Sequence, residues 1–457
     1  MAAEAARSDE PLAVGDQLQL FLDDHLIDSM RGVELKLHSP RPAEIVIQME
    51  KPWEDQTMYD PVVLKDGDRY RMWYRTNFNA RPFFTGYAES ADGIHWTRPN
   101  LGLIEFRGSK ENNLVWTSGT DGSLGCVLSV FQDGNPNAPA GERYKAFATR
   151  ITEKAEECGI LGLVSPDGLR WQLVQPDLIL RGGAFDSHNL ALWDAARGQY
   201  LAYTRGFGNG IRLIRRAASN DFRTWSELAF VDLGDSPVEH LYKNAATAYY
   251  RRPDILLMFP KRFLPERKAD PKWPYNGLSD IVFMSSRDGV HWDRRFMEAF
   301  LRPGPDELNW HERAIEVGQG LVPTGQGEMS LYYVEHYRTG SVRIRRGVLR
   351  EDGLVSVHAP YAGGELVTRP VVFTGKQLAI NYATSAAGSV RVEILDTGSK
   401  TIAGFGPGDA AEIYGDQPER VVAWKQGADL SGLAGKPVRL RFFLKDADLY
   451  SFRFRAE

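Results

Sequence analysis

Carboxylates, histidines and cations recur at one kind of place in this 457-residue chain, just ahead of an apolar, β-prone run. Asp60 precedes Pro61-Val62-Val63-Leu64, and Asp186, His188 and Asn189 precede Leu190-Ala191-Leu192-Trp193. Glu239, His240, Tyr242, Lys243 and Asn244 lead into a third run, and Trp310, His311, Glu312, Arg313 and Glu316 into a fourth. Carboxylates and histidines with an aromatic ring, facing one cavity, suit glycoside hydrolysis. One carboxyl protonates the leaving oxygen, another attacks the anomeric carbon or activates water, and aromatics hold the sugar. Desolvation and neighbouring charge would raise the pKa of the acid partner and leave the other ionised.

Other polar residues divide by spacing. His188 and His240 lack the close His-x-x-x-His pattern of a metal site, so they read as hydrogen-bond donors to substrate, and no metal or cofactor is expected. Arg75, Lys261, Arg262 and Arg313 could clamp an anionic sugar or a phosphate, because arginine pairs bidentately with such groups. Gly206-Phe207-Gly208-Asn209-Gly210 lacks the Lys-Ser/Thr that a phosphate-cradling P-loop requires. Asp66, Asp68, Asp92, Asp167 and Asp288 lie in Asp-Gly-type turns and read as structural.

The elements that must bring these residues together are announced by a phrase written four times. It runs Ser-Ala-Asp-Gly-Ile-His-Trp at Ser90 to Trp96, Ser-Pro-Asp-Gly-Leu-Arg-Trp at Ser165 to Trp171, Ser-Asn-Asp-Phe-Arg-Thr-Trp at Ser219 to Trp225 and Ser-Arg-Asp-Gly-Val-His-Trp at Ser286 to Trp292. A worn fifth copy begins at Arg350. Each copy joins two apolar runs as the outer hairpin of an antiparallel unit. Copies roughly 55 to 75 residues apart predict a repeated sheet, hence a five-bladed β-propeller whose innermost strands converge on a central channel. The fifth blade is expected to end on Val355.

Beyond His358 the phrase stops and six or so alternating strands follow, which predicts a β-sandwich with a structural or binding role. The expected fold is therefore all-β: a disordered leader over residues 1–15, a five-bladed β-propeller over 16–360 and a C-terminal β-sandwich over 361–457. Forty-four glycines and 25 prolines, with 11 Trp, 18 Tyr and 22 Phe, fit that class. A formal charge of −5 argues against nucleic acid as a partner, and no run of about 18 apolar residues calls for a membrane. Cys126 and Cys158 either pair or sit as two small hydrophobes, which fixes no redox compartment. A secreted or periplasmic location requires a removed signal peptide, and a cytoplasmic one does not; a homo-oligomer stays open.

These motifs resemble a known group. Asp60-Pro61-Val62-Val63-Leu64 before Tyr70-Arg71-Met72-Trp73-Tyr74, with the Asp-Gly-x-x-Trp hairpins, is similar to the five-bladed propeller glycosidases of the family 32, 43 and 68 type. Asp186-Ser187-His188-Asn189, Phe259-Pro260-Lys261-Arg262-Phe263, Asn112-Asn113-Leu114-Val115-Trp116 and the tail phrase from Gly435 to Tyr450 resemble bacterial family-32-like proteins. The resemblance implies an exo-acting glycoside hydrolase with an oligosaccharide substrate. Asp60 would be base or nucleophile, Asp186 the stabilising carboxylate, and Glu239 or Glu312 the proton donor. His188, His240 and Trp310 would shape the pocket, joined by Arg75, Asn189, Asn244, Arg262, His311 and Arg313. The second blade lacks the family's Arg-Asp-Pro phrase, the third carries Asp186 in place of Glu, and the Trp-Met-Asn-Asp-Pro-Asn motif of fructosidases is absent. A glycoside phosphorylase and a noncatalytic glycan-binding propeller are the alternatives.

Overall fold

The structure, a computed structural model, describes residues 10–154 and 157–456. It is all-β, and its described helical elements are single 3-10 turns such as Asp24–Leu26 and Glu307–Asn309. The chain divides into two compact units, one of residues 39–348 and one that joins the segment before Ser39 to the segment after Val348.

In the first unit four antiparallel strands recur in chain order. The first sheet is Tyr59–Asp66, Arg69–Arg75, Phe84–Ser90 and Leu114–Thr117, with Trp96–Thr97 paired alongside. The second is Cys126–Gln132, Tyr144–Arg150, Gly159–Ser165 and Gln172–Leu173, and the third is Leu190–Asp194, Gln199–Gly208, Ile211–Ser219 and Ala229–Phe230. The fourth is divided: Thr247–Tyr249, Arg252–Met258 and Met284–Ser286 pair in one piece, and His240–Leu241, Lys261–Leu264 and Leu278–Ile281 in another. The fifth runs Glu316–Val317, Glu328–Glu335, Arg343–Arg350, and its outer strand is Arg41–Gln48.

That last pairing differs from the sequence expectation. Val355–Ala359 does not complete the fifth sheet; it pairs with Glu34–Leu37 and with Arg439–Arg455 in the other unit. An early strand supplies the missing edge, and Ile47 of that strand is buried beside Ile344.

The repeated phrase forms one turn four times. The serine Oγ accepts the N–H of the Asp two residues on and of the residue after it, and the Asp Oδ1 accepts the next two N–H groups. Residues at the left-handed position are Gly93, Gly168, Phe222 and Gly289, with φ from 64° to 75°. Each tip docks on the second strand of another sheet. Trp73 Nε1 donates to Gly168 O, Tyr203 OH to Gly289 O, and Tyr332 OH of the fifth sheet to Gly93 O of the first. Phe222 packs on Phe147 of the second sheet at 5.7 Å between ring centres.

The other unit holds an eight-stranded sheet in which the long strands Gln377–Leu395 and Arg439–Arg455 pair along most of their length. Its core gathers Phe21, Leu366, Val390, Phe442, Phe452 and Phe454. Ile27–Arg31 and Glu34–Leu37 belong to this sheet, so the boundary expected at residue 16 falls instead between residues 38 and 39. Of the expected leader, residues 1–9 lie outside the described residues. Leu12–Gly15 is a strand paired in parallel with Val371–Phe373, because backbone partners and a buried Val14 outweigh its polar flanks.

Candidate active site

Asp60 opens the first strand of the first sheet at a break in the ladder, between the pairs Tyr59–Arg75 and Val62–Trp73. Its φ of 54° puts a non-glycine residue in the left-handed region, a conformation that costs of order 1–3 kcal/mol and persists where the surroundings impose it. The bulge places the carboxylate among cations. Lys243 Nζ donates to Oδ1, Arg75 Nη1 stands 3.1 Å from Oδ2, and His188 Nδ1 lies 4.0 Å from Oδ1.

Lys243 comes from the approach to the fourth sheet and reaches a second carboxylate, Glu316, at 2.7 Å. Glu316 opens the fifth sheet and also takes Lys261 at 2.9 Å. Lys261 Nζ donates in turn to Tyr59 OH, and both ammonium groups lie over the Tyr59 ring, Lys243 at 4.1 Å and Lys261 at 4.6 Å from its centre. Asp60 and Glu316 are each 1% exposed. Among the described residues, the buried Asp60 Oδ2, His188 Nε2, Ser187 Oγ and Gln319 Oε1 have no hydrogen-bond partner.

Burial and charge push these groups apart. Burial alone would raise the Asp60 carboxyl, yet the Lys243 ammonium and the Arg75 guanidinium outweigh it and hold the group well below the usual carboxylate range. Burial raises Glu316 against the pull of Lys243 and Lys261. Burial lowers Lys261 to about 7, with Glu316 opposing and Lys243 adding to the shift. His188 falls to about 3 through burial, against Asp60 and with Lys243 and Arg75, so its ring is neutral. Ligand atoms of Asp60, His188 and Glu316 lie within 4.8 Å of one another, the spacing of a metal triad, but the Lys243 ammonium already bridges the two carboxylates.

No family profile matches the sequence. Two uncharacterized proteins of Mycobacterium tuberculosis, MT1551 and Rv1502, are each 31% identical to this chain over 123 residues, which is 26% of this chain. The match spans 34% of the length of those curated relatives. Among solved structures, an N-acetylgalactosamine deacetylase from F. plautii in complex with blood group B trisaccharide is 15% identical, with a TM-score of 0.49 over 71% of this chain and 96% of that one. A structure of the GH130 family of mannoside phosphorylases, which contains glycoside hydrolases that target beta-1,2 mannosidic linkages in Candida mannan, is 14% identical, with a TM-score of 0.46 over 74% and 99%. A glycosyl hydrolase from Bacteroides ovatus is 13% identical, with a TM-score of 0.42 over 74% and 96%.

Of the residues singled out in the sequence, Asp60, Arg75, His188, Lys243, Lys261 and Glu316 meet at this centre. Arg75 also donates to Thr57 O and lies 4.6 Å over Phe78. Asp186 is 56% exposed and bound by Arg205. Glu239 is held by Arg294 and, at 3.5 Å, by Arg262, whose guanidinium is otherwise committed to Asp280. Glu312 accepts from Trp273 Nε1 and from Arg338 at 2.9 Å, with Arg313 at 3.4 Å. Burial would raise its carboxyl, but the His311 and Trp273 hydrogen bonds and those arginines hold it below its ordinary value. His311 stacks on Trp273 with ring centres 4.0 Å apart.

Asn189 and Asn244 turn inward to fasten backbone: Asn189 donates to Phe185 O and Ser187 O, and Asn244 to Tyr203 O. His240 accepts the Arg212 N–H. Trp310 is largely exposed and lines a cavity of about 530 Å³ with Leu264, Leu278 and Arg302. Cys126 and Cys158 are both free thiols. In the sequence Tyr59 marks only the start of the first repeat, Lys243 and Glu316 stand at strand entries with no individual role, and Lys261 is a candidate anion clamp. The available signal was a charge set inside an otherwise apolar strand entry, as in Leu241-Tyr242-Lys243 and Ile315-Glu316-Val317.

Proposed function

We propose that the protein is an exo-acting glycoside hydrolase whose five sheets close into a five-bladed propeller, with Asp60 and Glu316 as its working pair. Closure is supported by the tips that dock sheet on sheet and by the parallel bridge from Val62 in the first sheet to Gln319 in the fifth. The reading is carried by one observation: two buried carboxyls with oxygens within 4.8 Å, one held ionised and the other pushed toward its protonated form. That is the division of labour a glycosidase needs.

The spacing falls short of the roughly 6.5–9.5 Å of inverting enzymes and favours a retaining route. Glu316 would protonate the glycosidic oxygen as its bond to the anomeric carbon breaks, while Asp60 forms a bond to that carbon. Glu316, now a base, would take a proton from water, whose oxygen displaces Asp60 and frees the sugar. Lys243 and Arg75 keep Asp60 anionic between turnovers. A centre this deeply buried admits a chain end rather than the middle of a polymer, hence exo attack on an oligosaccharide.

The test is release of nitrophenol from a panel of α- and β-glycosides by the wild type, Asp60→Asn and Glu316→Gln, with folding followed by circular dichroism. Each variant is expected to stay folded and lose about a thousandfold in kcat. Ordinary turnover by Asp60→Asn removes the proposal. The depth of both carboxyls and their ion pairs also support a second reading, a noncatalytic glycan-binding propeller. Sugar binding without release from any glycoside would establish it, and release only in the presence of phosphate would instead assign a glycoside phosphorylase.

A further inference from the structure

Four cations surround one ring beside the Asp60–Glu316 centre. Arg205 and Arg212 lie 5.0 Å, Lys261 5.7 Å and Arg313 5.9 Å from the centre of Tyr242. Three have carboxylate partners: Arg205 binds Asp186, Lys261 binds Glu316, and Arg313 faces Glu312. Arg212 has none within ion-pair distance among the described residues. Its guanidinium rests on Tyr242, on Phe263 at 5.1 Å and on Phe207 at 5.7 Å, with His240 Nδ1 3.4 Å from Nη1.

Two buried donors are left over. The Nε atoms of Arg205 and Arg212 have no hydrogen-bond partner among the described residues, and the Arg205 side chain is only 4% exposed. Burial lowers the pKa of Arg212 and, against Tyr242 and Asp186, repulsion from Arg205 and Arg313 adds to the shift, so the group carries its charge at a cost. An incoming oxyanion would remove that cost. It would accept from the planar forks of Arg205 and Arg212, for which carboxylate and sulfate geometry is matched, while Asp186, more than half exposed, yields part of its hold on Arg205. The seat adjoins the centre through Lys261, which bonds Glu316, and through Arg313, whose carbonyl accepts from Tyr59 OH at 2.8 Å.

We infer that the Arg205–Arg212–Tyr242 face is a seat for an oxyanion carried on the glycan, a uronate carboxylate or a sulfate ester, so that the substrate is an acidic rather than a neutral sugar. This rests on the carbohydrate reading of the centre and names its substrate class.

Isothermal titration of the full chain tests it with glucuronate and galacturonate against glucose and galactose, with galactose 6-sulfate and with inorganic phosphate. The wild type is expected to bind an acidic sugar about tenfold or more tighter than its neutral counterpart, the scale of one charge-assisted contact. Arg212→Gln should abolish that preference and Arg212→Lys should recover part of it, since lysine keeps the charge and loses the fork. The uronate and sulfate arms identify which group the seat takes. Equal binding of acidic and neutral sugars, binding of phosphate with no acidic-sugar preference, or a preference unchanged in Arg212→Gln would overturn the inference. Cleavage of neutral glycosides without an acidic preference would leave the hydrolase standing and remove only the seat. Acidic-sugar preference without turnover would do the reverse.

Discussion

Lys243 couples the two carboxyls of the centre, because a single ammonium touches both and favours the ionised form of each. His188 reads the same field from the other side and stays neutral. With a folded pKa of about 3 against an ordinary value of 6.5, the unfolded chain binds more protons through the interval between them. Stability contributed by the neutral ring is therefore complete above pH 6.5 and is lost as pH falls toward 3. From pH 7 to pH 5 that loss is about 2 kcal/mol. Urea unfolding of wild type and His188→Gln across this range checks it: the variant should show a shallower fall by about that amount, and parallel curves would contradict a buried neutral histidine. In the sequence Asp60, His188, Lys243 and Glu316 all stand at strand entries, and Asp60 is marked further only by its Asp-Pro entry. Asp186, Glu239 and Glu312 satisfied the same rule. What separates them is that Lys243 reaches Asp60 and none of the three, which are bound instead by Arg205, Arg294 and Arg338, and those contacts come from other strands and loops that no local pattern encodes.

At the scale of elements, the four Ser-x-Asp turns were legible because their hydrogen bonds close within six residues. The outer strand of the fifth sheet was not, because Arg41–Gln48 and Arg343–Arg350 are paired across nearly the whole first unit. The junction of first and fifth sheets makes its own demand on sequence. Gln319 bridges Val62 in parallel, with Val63 N–H donating to Gln319 O and Gln319 N–H to Pro61 O, both at 2.9 Å. Such an approach leaves no room for side chains on either flank. A Cβ on Gly320, where φ is 111°, would stand 2.0 Å from Val63 O, and one on Gly318 would stand 2.2 Å from Pro61 O. Gly320→Ala should therefore cost about 3 kcal/mol in urea unfolding, by overpacking against backbone that cannot yield. Gly210 has a φ of 78° and open space around it, so Gly210→Ala should cost only about 1 kcal/mol. Equal losses at the two positions would show that conformation alone, and not the closeness of the sheets, requires the glycine.

At the scale of the whole molecule, the sequence announced the repeats and the change of pattern after His358, but not that the second unit is assembled from both ends of the chain. Its sheet needs Ile27–Arg31 against Gly364–Thr368 and Glu34–Leu37 against Val355–Ala359. A fragment of residues 361–457 lacks three of those strands. It would expose the backbone edge of Gly364–Thr368 and one edge of Arg439–Arg455, and an unpaired edge invites aggregation rather than folding. Residues 39–350 carry the opposite arrangement, since Arg41–Gln48 supplies the last strand of the fifth sheet and Asp60, Lys243, Lys261 and Glu316 all lie inside that span. Expressed alone, residues 39–350 should be β-rich by circular dichroism and unfold in one cooperative transition, whereas residues 361–457 should be insoluble or unfolded. A soluble, cooperative 361–457 fragment would mean that the early strands decorate that sheet instead of completing it. The two ends of the chain would then be independent in folding as well as in sequence pattern.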